Sequence, residues 1–375
     1  MSKPAGAVCN LDCKYCFYLD KESLYQAGSR FRMSDEVLES YVRQQIEAQP
    51  EGEILFAWQG GEPTLLGVPF FERAVELERR HAQGRPVRNA LQTNGTLLDD
   101  VWGEFLHREE FLVGLSIDGP QPLHDRYRVD KGSKPTFDRV MQGLSMLRKH
   151  AVEFNTLSVI HRENAQKPLE VYRFLKEIGS AFLQFIPLVD RVPGSASRAQ
   201  GWTHAPPPQE HTAKESQVAA WSVLPEDYGE FLVSIFNEWV RQDVGKTFVQ
   251  LFDVALGIWM GYPAGLCLFG ETCGNAVALE HNGDVFSCDH FVYPEYKLGN
   301  LLNTGLGELV GSLKQRSFGR SKADTLPEYC LRCDVRFACN GECPKNRFAT
   351  TPDGQPGLNY LCPAYKRFFR HVDPP

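Results

Sequence analysis

Two periodicities alternate along the first half of the chain. Residues 54–58 (ILFAW) form an apolar run of strand length. Residues 69–82 (PFFERAVELERRHA) repeat apolar side chains every three or four positions, as a helix with one buried face requires. The rhythm continues with NALQT (89–93), a short strand, and DDVWGEFLHR (99–108), a helix with Asp99 or Asp100 as its N-cap. FLVGLSI (111–117) is a strand, TFDRVMQGLSMLRKH (136–150) a helix and EFNTLSVI (153–160) a strand. PLEVYRFLKEIG (168–179) is a helix ended by Gly179, and AFLQFIPLV (181–189) is another strand. Such regular βα alternation predicts a parallel sheet with helices outside it.

The second half breaks the rhythm. Residues 191–222 are rich in Pro, Ser, Ala and Gln and read as a long loop or mobile lid, or as a disordered insertion without a role. Residues 225–260 are strongly apolar at helical spacing and predict helices bridging to a second domain, their aromatic stripe serving as core. AVALEHNGDVFSCDHF (276–291) places Asn282-Gly283 between alternating arms. That is a β-hairpin signal, with Cys288 at the end of the second arm.

Composition narrows the class. A chain of 375 residues, 42% hydrophobic and 23% charged, suits a globular enzyme of two or so domains. A net charge of −7 without a basic run disfavours a nucleic-acid partner. No apolar stretch has the 18 or so residues of a membrane helix, so no membrane partner is expected. The 11 cysteines come without a secretory signal, which points to a reducing, cytoplasmic setting rather than a disulfide scaffold.

Cysteine placement carries the chemistry. Cys9, Cys13 and Cys16 form a C-x3-C-x2-C run, and the other eight all lie beyond residue 266. Three thiolates leave one iron of a [4Fe–4S] cube open, and eight are enough to close two further cubes. Zinc is the alternative for the C-x2-C pair at Cys330 and Cys333 with Cys339 and Cys343. Three predicted strands end in polar words: QGGEP (59–63), QTNG (92–95) and SIDG (116–119). In α/β barrels ligands bind at such carboxyl ends, although each word taken singly is also good turn chemistry.

The three-cysteine run followed by Phe17 resembles the radical S-adenosylmethionine superfamily. The late cysteines read C-x5-C-x14-C, C-x2-C-x5-C-x3-C and then Cys362, which resembles the SPASM extension. WQGGEP, LQTNGTLL, GLSIDGP, SCDHFVYPEYKLGN and CNGECPKNRF together look like anaerobic sulfatase-maturating enzymes. The resemblance implies a partial (β/α)6 barrel over 1–225, bridging helices over 226–265 and a Cys-rich SPASM domain over 266–375. It implies three [4Fe–4S] clusters and S-adenosyl-L-methionine, cleaved to a 5′-deoxyadenosyl radical. Peptidyl Cys or Ser in a C/S-x-P-x-R segment of an unfolded sulfatase would become Cα-formylglycine, with flavodoxin or ferredoxin as electron donor. The family places a strand before its first cysteine. Only MSKPAGAV precedes Cys9, so a truncated or late start is expected, with a short first strand and an exposed sheet edge.

Roles follow from the same resemblance. Cys9, Cys13 and Cys16 would hold the cluster that binds the cofactor. Gly60, Gly61 and Glu62 would meet the methionine ammonium, Ser116 and Arg128 the methionine and its carboxylate, and Tyr15 and Val189 the adenosine. For Arg128 and Val189 a surface salt bridge and core packing are the plain alternatives. Cys267, Cys273, Cys288 and Cys343 would close one auxiliary cluster, and Cys330, Cys333, Cys339 and Cys362 the other. Asp289 would be the general base, or else would cap a turn beside Cys288. Tyr18, Gln59 and Gln92 would hold the reacting side chain. Two rivals stand beside this reading: another SPASM peptide modifier forming thioether or carbon–carbon crosslinks, and a zinc-stabilised interaction module.

Overall fold

In a computed structural model of the chain, which describes residues 1–26, 28–49, 51–199, 201–208 and 217–373, the predicted alternation is realised. The strands in chain order are β1 (Ser2–Lys3), β2 (Ile54–Trp58), β3 (Val87–Thr93), β4 (Leu112–Ser116), β5 (Phe154–Ile160), β6 (Phe182–Pro187), β7 (Phe248–Val249), β8 (Ala278–Glu280), β9 (Asp284–Phe286) and β10 (Lys297–Asn300). Helices follow β2 to β5 as the periodicity requires: Val68–Ala82, Asp100–Arg108, Phe137–Lys149 and Pro168–Glu177. Asp99, not Asp100, caps the second of these, accepting from the Trp102 amide at 2.9 Å. Gly179 ends the last with φ +76°, a conformation only glycine adopts without strain.

Two compact units emerge, each discontinuous in sequence. The first is Met1–Ile117 with His124–Asn155 and Gly274–Arg316; the second is Asp118–Leu123 with Thr156–Cys273 and Ser317–Pro375. In the first unit β1, β2, β3 and β4 pair in parallel in that order. On the other side of β1 the order continues through β8, β9 and β10. Ile54, Phe56 and Trp58 are buried on one face of β2, against Phe70 and Phe71 of helix Val68–Ala82. In the second unit β5, β6 and β7 pair in parallel. The bridging segment forms helices Pro225–Gln242 and Gln250–Trp259 with β7 between them. Among the described residues no helix is long and apolar enough to cross a membrane.

The first strand corrects an expectation. β1 is only two residues long, yet it is not an exposed edge. Ser2 pairs with Trp58 of β2 and with Leu279 of β8, both in parallel, and Ser2 and Lys3 are buried. A hairpin some 276 residues later covers the edge by supplying the missing ladder partner. That hairpin turns at Gly283, φ +89°, as Asn282-Gly283 predicts, and Cys288 lies two residues past β9. Within 191–222, residues 200 and 209–216 lie outside the described residues, so the lid reading is addressed only at its flanks. There Arg191 bridges antiparallel to Val218, and Trp202 is buried.

Candidate active site

The three-cysteine loop leaves β1 and is tied down by backbone bonds. Asp12 donates to the Val129 carbonyl at 2.8 Å and Lys14 to that of Tyr127 at 3.0 Å. The segment leading to Cys9 is zipped to the loop after β2. Gly61 donates to the Gly6 carbonyl at 2.8 Å and Glu62 to that of Val8 at 2.9 Å. A Cβ on Gly61 would overlap the Val8 carbonyl oxygen and sit 2.7 Å from the Ala7 carbonyl carbon. Gly60 has φ +133°. The double glycine is what allows this approach.

Glu62 is buried, and its carboxylate is already engaged. One oxygen accepts from the Thr64 amide (3.1 Å), the Thr64 hydroxyl (2.6 Å) and the Thr93 hydroxyl (2.7 Å); the other accepts from the Asn94 amide (2.7 Å). Burial pushes its pKa up, against the pull of these bonds. Four acceptor positions exist on a carboxylate pair, so little capacity remains for a ligand ammonium. The side chain buckles the end of β2 to the end of β3. From β3, Asn94 reaches the cysteine loop: its amide donates to Asn10 Oδ1 at 2.9 Å and to Cys9 Sγ at 3.7 Å, while Asn10 donates to Thr96.

Other expected residues meet in the same unit. Gln92 donates to Ser116 Oγ at 2.9 Å, packed over Gly114, where a Cβ would overlap the Gln92 carbonyl oxygen. Arg128 is buried, not on the surface, and donates to the Tyr15 hydroxyl at 3.1 Å. Gln59 follows β2 and donates its backbone amide to Ser2. Val189 lies in the second unit and is buried as core.

Asp289 opens a single 3-10 turn directly after Cys288. Its carboxylate forms an ion pair with Lys3, whose side chain is buried. The Lys3 ammonium lies 4.4 Å from the centre of the Tyr18 ring. Tyr18 is buried and donates its hydroxyl to Glu280, the β8 partner of Lys3. Beside them, Phe17 meets His290 edge-on at 5.6 Å. The hairpin after residue 276 therefore carries Asp289 to the residues that follow Cys16. Sequence reasoning missed Lys3, Glu280, Asn10 and Asn94. Asn94 had a signal, because it sits in a strand-end word, but Lys3 and Glu280 had none.

The thiols fit soft metal clusters. Cys330, Cys333, Cys339 and Cys362 line one cavity of the second unit. Burial first, then neighbouring thiolates, pushes Cys339 up to about 12 and Cys362 up to about 11. Cys9 is likewise pushed up to about 12, by burial and then by Glu62. Crowded, buried thiols of this kind deprotonate when a metal takes the charge. Cys267, Cys273 and Cys343 belong to the same unit, and Cys288 to the first. None of the 11 cysteines is joined in a disulfide.

Comparison with known proteins agrees with this chemistry. The radical SAM superfamily model matches residues 4–175, and the SPASM iron-sulfur cluster-binding domain matches 267–334. A serine-type anaerobic sulfatase-maturating enzyme of Bacteroides thetaiotaomicron is 49% identical, over 100% of this chain and 89% of its own. A cysteine-type enzyme of Clostridium perfringens is 35% identical, over 99% of this chain and 95% of its own. The solved structure of native anSMEcpe with bound AdoMet superposes with a TM-score of 0.84 at 34% identity, covering 99% of this chain and 96% of that one. With the whole chain matched at such identity to enzymes of both types, and with both family models found in it, the protein belongs to the anaerobic sulfatase-maturating family of radical S-adenosylmethionine enzymes.

Proposed function

We propose that the chain oxidises a Cys or Ser within a C/S-x-P-x-R segment of an unfolded sulfatase to Cα-formylglycine. The observation that carries this reading is full-length similarity to relatives of both substrate types, alongside a neighbour solved with AdoMet and the Cp18Cys peptide. When bound, S-adenosylmethionine and its cluster would supply hydrogen-atom abstraction, and the auxiliary clusters a sink for the remaining electron.

Cys9, Cys13 and Cys16 hold the first cluster in this reading. Gly60 and Gly61 bring the backbone close to the methionine, Arg128 offers its guanidinium to the methionine carboxylate, and Ser116, Tyr15 and Val189 flank the rest. Glu62 fixes the loop that does this. Cys330, Cys333, Cys339 and Cys362 form one auxiliary ligand set. Cys267, Cys273, Cys288 and Cys343 form the other, on the sequence pattern. Tyr18, Gln59 and Gln92 face the substrate side chain. Asp289, held by its ion pair with Lys3, takes the thiol or hydroxyl proton. The functional division is 1–225, 226–265 and 266–375. The setting is cytoplasmic, with a flavodoxin- or ferredoxin-type reductant.

The test is mass spectrometry of Cys and Ser peptides after anaerobic incubation with reductant and cofactor. The Cys peptide should lose two hydrogens and sulfur and gain oxygen; the Ser peptide should lose two hydrogens. Asp289→Asn should still cleave the cofactor, with formylglycine yield reduced by ~10²–10⁴. Unaltered yield in that variant would reduce Asp289 to a turn residue.

A further inference from the structure

Two cations are buried in the second unit beside the cysteine loops. Lys322 is fully buried and donates to the carbonyls of Cys267 (2.6 Å), Leu268 (2.8 Å) and Gly270. Arg347 is 1% exposed. Its Nε donates to Gly341 O (3.0 Å), Nη1 to Lys322 O (2.6 Å) and Thr325 Oγ1 (3.5 Å), and Nη2 to Asn340 O (3.0 Å) and Glu342 O (3.2 Å). Every N–H of both groups has a partner, yet every partner is a neutral oxygen. Among the described residues neither cation is ion-paired to a carboxylate. The nearby acid Glu342 spends its carboxylate on Asn359 (2.5 Å) and Asn346 (3.2 Å).

Hydrogen bonding is thus satisfied while charge is not, and a buried charge without a counter-charge is costly. The anions within reach are the thiolates and the Glu342 carboxylate, whose own charge burial disfavours. Lys322 holds the loop between Cys267 and Cys273, and Arg347 holds the loop between Cys339 and Cys343. Burial works against both cations, and Arg347 against Lys322; the thiolates of Cys273 and Cys343 with Glu342 for Lys322, and of Cys330 and Cys343 with Glu342 and Cys339 for Arg347, work in their favour. Gly341 completes the arrangement: at φ +69°, a Cβ there would lie 2.8 Å from Arg347 Nη2. A cube closed by four thiolates is doubly negative when oxidised and triply negative after taking one electron. A fixed positive charge therefore favours the reduced form and raises the potential.

We propose that Lys322 and Arg347 are the counter-charges of the auxiliary clusters and raise their reduction potentials, making them acceptors for the electron released by substrate oxidation. This rests on the cluster assignment above. Both are positioning residues: they touch the loops, not the substrate.

The experiment is an EPR-monitored potentiometric titration of the full, anaerobically reconstituted chain. S-adenosylmethionine is added to identify and set aside the open-iron cluster, whose signal alone responds to it. The variants are Arg347→Gln and Lys322→Met, against the charge-keeping Arg347→Lys and Lys322→Arg. At a fixed solution potential, the neutral variants should show a roughly tenfold lower ratio of reduced to oxidised auxiliary cluster, about 59 mV for one electron. The charge-keeping variants should stay near the parent. Loss of auxiliary iron in the neutral variants alone would also support a counter-charge. Full iron with unshifted potentials in the neutral variants overturns the proposal. So do equal effects, on potential or on iron, in all four variants, which would mean packing rather than charge. A parent chain with no auxiliary clusters would instead refute the underlying assignment.

Discussion

Gly61→Ala is the sharpest test of how the cofactor loop is built. The added methyl would overlap the Val8 carbonyl oxygen and lie 2.5 Å from its carbon and 2.7 Å from the Ala7 carbonyl carbon. Carbon atoms normally approach to ~3.5–4.0 Å, so one segment must retreat by roughly 1 Å. That retreat strains the Gly61 bond to Gly6 (2.8 Å) and the Glu62 bond to Val8 (2.9 Å). Two such bonds at about 0.5–1.5 kcal/mol each, with over-packing of about 1–3 kcal/mol, give a total near 2–6 kcal/mol. The damage falls on residues 6–8, which run straight into Cys9. Anaerobically reconstituted variant should therefore lose about a third of its iron, the share of one cube in three, together with the spectral response to S-adenosylmethionine. Gly84→Ala is the control. Its φ of +84° carries strain, but nothing lies within 4 Å, so it should cost only ~1–2 kcal/mol and no iron. If Gly61→Ala keeps full iron, the cofactor response and the parent melting temperature, the zipper does not position the loop.

Replacing Cys9, Cys13 and Cys16 together by Ala should leave about eight of about twelve irons and abolish 5′-deoxyadenosine formation, read by iron analysis and chromatography. A second expectation concerns pH. Burial pushes Glu78 up to about 8, so its neutral form favours the fold below the ordinary carboxylate pKa, and that support is lost as pH rises through about 8. Glu78→Gln, which can still accept from Asn89, should flatten the fall in melting temperature between pH 5 and 9; an unchanged slope would place the titration elsewhere.

Much of the barrel was legible because its strands and helices each bury one face, and burial imposes a period. Asp99 as a cap and Asn282-Gly283 as a turn are local chemistry, and both hold. Helix Asp35–Glu47 also carried a signal, with Ser34 as cap and Val37, Leu38, Tyr41 and Val42 buried, but the strand-led reading passed over it. β1 and β10 were not readable. Two residues cannot display a period, and KLGN shows no alternation. The site divides in the same way. Thiols announce themselves by spacing. Lys3 against Asp289, or Arg347 behind Cys339, joins residues distant in sequence or of a type ordinarily found on surfaces. Glu62 was noticed for its word, but its four bonds make it a fastener.

The placement of β1 between β2 and β8 has a consequence for how the molecule comes into being. Ser2 and Lys3 are the first of these residues to be translated, yet their β8 ladder partners Leu279 and Glu280 follow hundreds of residues later. At ~5–20 residues per second, the first strand waits on the order of tens of seconds for its second neighbour. Closing so long a loop is slow and makes the contact order high. The cysteine loop hanging from β1 therefore cannot reach its final shape until β8 has been made. Cluster insertion there is expected to wait for the β8 hairpin, long after Cys9, Cys13 and Cys16 have been translated.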